Sequence, residues 1–96
     1  MSDTPPNEAL HAGVLLETAK SELEVVHRAA LAADAGAIRR GIDLALTALG
    51  QLSGDMAAAV APVEDSLRAA RIDLDAGKLV EMEKLLEVAR TALAKV

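Results

Sequence analysis

Ninety-six residues suffice for one small domain, residues 1–96, and 52% apolar against 26% charged fits neither a disordered nor a fibrous chain. The absence of Phe, Trp, Tyr and Cys removes base-stacking platforms, aromatic cages, disulfides and thiolate-based catalysis or metal binding. Ten Lys and Arg against fifteen Asp and Glu leave a net charge of −5, which argues against electrostatic attraction to nucleic acid or to an acidic membrane.

The opening Met1-Ser2-Asp3-Thr4-Pro5-Pro6 is acidic and lacks the basic and apolar regions of a signal peptide. The longest uncharged run, Leu44 to Gly54, is 11 residues, where a membrane-spanning helix needs about 20. A cytoplasmic protein without a membrane span is expected, its residues 1–6 disordered.

Pro5-Pro6 pushes the preceding backbone out of the α region, so a first helix is expected over about 7–34. Apolar residues at Ala12, Leu16, Ala19, Leu23, Val26, Ala30 and Ala33 alternate steps of four and three, the a/d spacing of a heptad. Asp34-Ala35-Gly36 is expected to end it, with Gly36 in the left-handed cap conformation. A second stripe, Ile38, Ile42, Ala45, Leu49 and Leu52, predicts a helix over about 37–50. Gly50 and Ser53-Gly54-Asp55 make the next break, with Ser53 or Asp55 as N-cap. The third stripe, Met56, Val60, Val63, Leu67, Ala70 and Leu74, runs in register across Pro62. It therefore predicts one helix over about 55–75, kinked at the proline, rather than a helix starting there. The fourth, Leu79, Met82, Leu86, Ala89, Leu93 and Val96, predicts a helix over about 78–95. Four such helices with short connections imply an all-α, antiparallel, left-handed four-helix bundle built from two helical hairpins.

The halves repeat. Arg28-Ala29-Ala30 through Asp34-Ala35-Gly36 returns as Arg68-Ala69-Ala70 through Asp75-Ala76-Gly77, and Thr47-Ala48-Leu49 as Thr91-Ala92-Leu93. Each half is similar to the interior of a tetratricopeptide unit, where a Gly turn precedes an apolar residue and a small one. The two Asp-Ala-Gly turns are 41 residues apart, not the roughly 34 of that repeat, and its aromatic positions are missing. The hairpin Asp75 to Leu93 also resembles those of small bacterial flagellar and type III export chaperones, over half the chain and without a diagnostic residue. No family is assigned.

Chemistry has few candidates. Glu8/His11 and Glu24/His27 both have the Glu-x-x-His spacing that places a carboxylate and an imidazole on one helix face in di-iron bundles. Such a site needs two motifs on different helices, whereas both lie here on the first helix, about 24 Å apart and pointing about 160° away from one another at ~100° per residue. Two ordinary histidines are expected, with Glu24 and His27 the only weak metal candidates and no cofactor. The bundle also resembles a histidine-phosphotransfer domain, with His27 as the phosphorelay residue. The small residue and Lys-Gly that follow the histidine there are replaced by Ala30-Leu31-Ala32. Ser21, Ser53 and Ser66 have no His spaced to activate them, so no catalytic residue is assigned and the protein is expected not to be an enzyme. Arg28, Arg39 and Arg40 lie among Asp34 and Asp43, which reads as a mixed-charge surface rather than an anion site.

The first helix is apolar over more than one stripe. Val14, Leu15, Val25 and Ala29, with Glu22 among them, form a second, half-apolar face. These five are the candidate interface residues, unless the other helices cover that side. The expected function is a non-catalytic, adaptor- or chaperone-like protein–protein interaction module, binding a partner protein or forming a homodimer. The alternative is a metal- or ligand-binding bundle using Glu24 and His27.

Overall fold

A computed structural model describes the backbone of residues 6–96 and the side chains from residue 11 onward. It holds four helices, α1 (Pro6–Leu31), α2 (Ala35–Leu49), α3 (Gly54–Asp75) and α4 (Leu79–Ala94), with no strand among the described residues. α1 packs extensively on α2, and α3 on α4. Narrower seams join α2 to α3 and α1 to α4, closing an antiparallel four-helix bundle of two hairpins. Most of the expected N-terminal disorder, residues 1–5, lies outside the described residues, while Pro6 is already helical.

Pro62 lies inside α3, which continues through it. The amide that proline lacks would have bonded the carbonyl of Ala58. Both residues are exposed, so solvent can satisfy the orphaned carbonyl, and with the helix continuous the stripe keeps its register.

The two Asp-Ala-Gly tripeptides do different jobs, which corrects the expected end of the first helix. α1 stops at Leu31, and Asp34 is the N-cap of α2, its Oδ1 accepting from the Ala37 amide at 3.1 Å. Gly36 is already in the first turn of α2. The left-handed residue that ends α1 is Ala33, at φ 55°. Around it the Asp34 amide donates to the Ala29 carbonyl at 2.9 Å and the Ala33 amide to the Ala30 carbonyl at 3.1 Å, a Schellman cap. After α3 the same pair of bonds forms, Lys78 to Asp73 at 2.8 Å and Gly77 to Leu74 at 3.1 Å, with Gly77 at φ 76°.

Aligning the caps aligns the halves. Ala33 and Gly77 are 44 residues apart, and so are Leu16 and Val60, Leu23 and Leu67, Ile42 and Leu86, Ala45 and Ala89, and Leu49 and Leu93, all but Ala33 and Gly77 core residues. The structural repeat is therefore 44 residues, the register of the Thr-Ala-Leu match and not that of Asp-Ala-Gly. Its interior is aliphatic throughout, and among the described residues no polar or charged side chain is buried.

The α1–α2 contact depends on Gly41. A Cβ there would overlap Cγ2 of Val26, a residue 1% exposed. Val26 is β-branched and confined to essentially one rotamer in a helix, so it cannot swing away. At the equivalent positions of the second hairpin the sizes are exchanged, Ala70 on α3 and Leu85 on α4.

Two outcomes follow for unfolding in urea. Ala33→Gly should stabilise the chain by about 1 kcal/mol, because it removes the left-handed penalty of an L side chain; no gain would mean that the turn relaxes away from positive φ. Gly41→Ala should destabilise by roughly 1–3 kcal/mol, overpacking outweighing the better helix propensity of Ala. Adding Val26→Ala should recover part of the loss, and a stabilised Gly41→Ala chain would show that α1 and α2 sit further apart.

Candidate functional site

The two seams between the hairpins are equivalent under the 44-residue repeat, yet their chemistry differs. On the α2/α3 side two cross-helix ion pairs close the seam, Arg39 with Asp75 and Asp43 with Arg71, the latter at 2.8 Å. Long side chains on the flanks of both helices bridge the gap above the apolar layer. On the α1/α4 side the positions equivalent to Arg39 and Asp75 are Glu83 and Leu31, and those equivalent to Asp43 and Arg71 are Glu87 and His27. Neither pair forms: Leu31 carries no charge, and no hydrogen bond or ion pair joins Glu87 to His27.

A hollow of about 290 Å³ lies where this lock is missing, lined by those four residues together with Leu23, Ala30, Leu86 and Arg90. Its floor is apolar and its rim acidic. Leu31, at the C-terminal end of α1, is 73% exposed. A smaller hollow of about 100 Å³ continues past Ala30 to Leu79 and Met82, and one of about 260 Å³ lies beyond Arg90 toward Leu93 and Ala94. Together they trace a groove along the length of α4. Arg90 crosses it: Nε donates to Glu24 Oε2 at 2.8 Å and Nη1 to Glu87 Oε1 at 3.1 Å.

The residues singled out in the sequence separate under this geometry. Glu24 and His27 lie on the exposed flank of α1 at the seam, but the Glu24 carboxylate is engaged by Arg90, and among the described residues no group of three or more His, Asp or Glu is placed to hold a metal ion. His11 lines a hollow beside Leu52 and Met56, apart from the α1/α4 seam; the Glu8 side chain lies outside the described residues. Of the five candidate interface residues, Leu15 and Ala29 are buried in the bundle's own core. They share a heptad line with Glu22, whose carbonyl lies beside Gly41 of α2, so α2 covers this flank. Val14 and Val25 face outward, 61% and 41% exposed, and Glu22 is half-buried. Arg39 is spent on Asp75 rather than on an anion site with Arg28 and Arg40.

The groove itself was not read from the sequence. The signal was present in the Thr-Ala-Leu repeat: extending its register along both halves sets Arg39 against Glu83 and Arg71 against His27.

Arg90→Met should cost no more than about 1 kcal/mol in urea denaturation, the ordinary worth of partly exposed ion pairs, and most of the loss should vanish in ~1 M salt. A larger, salt-independent loss would show that Arg90 holds the seam by packing. Among protein-family models, curated proteins and solved structures, none matches this chain.

Proposed function

We propose that the chain is a small, non-catalytic protein–protein interaction module, adaptor- or chaperone-like and cytoplasmic, that receives a helical segment of a partner protein in the α1/α4 seam. The observation that carries this reading is the run of apolar hollows along α4, bordered by the exposed Leu31 and Leu79. Successive apolar hollows along a helix suit helix-in-groove recognition, in which apolar anchors at helical spacing are each seated in one of them. No helix among the described residues is long and apolar enough to cross a membrane, and the net charge of −5 disfavours nucleic acid as the occupant.

Self-association through the outer face of α1 has less support, since only Val14 and Val25 of its expected apolar set remain exposed. Metal binding through Glu24 and His27 would first have to displace Arg90 from Glu24.

A photoreactive benzoylphenylalanine at position 31 should crosslink a protein in the native cell, whereas the same residue at Arg40, on the outward face of α2, should not. Equal labelling from both positions, or none from position 31, would overturn the assignment of the seam.

A further inference from the structure

The α1/α4 seam departs from its equivalent in charge. In the α2/α3 seam Arg39 and Arg71 balance Asp43 and Asp75. The hollow of about 290 Å³ is lined by two carboxylates, Glu83 and Glu87, and one guanidinium, Arg90. The hollow beyond Arg90 is lined by Glu24, held by Arg90, and by Lys20, which pairs with Glu17. Glu83 takes part in no ion pair among the described residues. It sits four residues before Glu87 on the same helix, a spacing at which like charges repel. At the two positions where the repeat would supply Arg39 and Arg71 the seam therefore holds no Lys or Arg, over an apolar floor made by Leu23, Ala30 and Leu86. Its own guanidinium, Arg90, stands where the first hairpin has Leu46.

We infer that the occupant of this seam is an amphipathic helix of a partner protein that carries Lys or Arg beside its apolar row. Its apolar side chains fill the hollows on either side of Arg90, and its cations meet Glu83 and share Glu87 with Arg90, closing between two proteins the lock that α2 and α3 close within one. This assignment rests on the interaction-module reading and names the chemistry of its partner.

The test uses the full chain and two labelled synthetic amphipathic helices with the same Leu row, one flanked by Lys and Arg and one by Glu, followed by fluorescence anisotropy. The basic helix should bind at least about tenfold more tightly than the acidic one and weaken as salt screens the contact. The triple variant His27→Arg, Leu31→Asp, Glu83→Arg rebuilds both ion pairs of the α2/α3 seam. All three positions are exposed, so the variant should fold, melt no lower than the wild type, and bind the basic helix about tenfold or more weakly. Glu83→Gln with Glu87→Gln, which keeps the apolar floor, should abolish the preference for the basic helix. Equal binding of the two helices, binding of neither, or undiminished binding by the triple variant would overturn the inference. A crosslink from position 31 to a partner, together with no preference for the basic helix, would sink the charge assignment and leave the interaction reading standing. Failure of both crosslinking and helix binding would remove both.

Discussion

Close helix approach within each hairpin is the constraint on which this structure rests. An aromatic side chain buries roughly 150–250 Å², and this chain has none. Its core is built instead from Leu, Ile, Val and Met interleaved with fully buried Ala19, Ala45, Ala70 and Ala89. Small residues bury little area each, so they contribute only where the backbones come near enough for the larger neighbours to close over them. Gly41 against Val26 is the limiting case, with no room even for a methyl group. The tight contacts therefore lie inside the hairpins, between α1 and α2 and between α3 and α4, and the seams between hairpins are held by fewer side chains.

The heptad stripes made the four helices, their antiparallel pairing and nearly all of the core legible, because side-chain period follows directly from helical geometry. The helix ends were less legible. Asp34-Ala35-Gly36 and Asp75-Ala76-Gly77 are the same tripeptide, yet one starts a helix with its Asp and the other follows a helix with its Gly. A short Asx-Gly motif satisfies either an N-cap or a left-handed C-cap; which one applies is decided by where the adjoining apolar stripes place the turn. Under that pressure Ala33 accepts the left-handed conformation although Gly36 stands three residues away.

The exposure of the second apolar face of α1 was half legible for a related reason. Stripe counting showed that α1 is apolar beyond its a/d line, which is correct, but a helix in a bundle has two flanks as well as an inner face. Leu15 and Ala29 lie on the flank that α2 covers, and only helix order, not period, distinguishes a covered flank from a free one. His27 and Glu24 lie on the opposite flank. They were noticed for their metal-ligand spacing, whereas the geometry involves them through their place on a seam.

The internal repeat turns that seam into a comparison with a built-in reference. At equivalent positions one seam has Arg39, Asp43, Arg71 and Asp75, and the other Glu83, Glu87, His27 and Leu31. The fold does not force this difference, since the first set shows what closes such a seam on the same backbone arrangement. Nor does burial account for it, because His27, Leu31, Glu83 and Glu87 are all exposed in the second set. Two like charges at i,i+4 are a locally unfavourable choice, and Leu31 is one of several large apolar side chains left exposed, so neither adds to the stability of the bundle. On the proposed reading, these residues around the open apolar hollow serve a partner protein, whereas their equivalents in the other seam serve the fold.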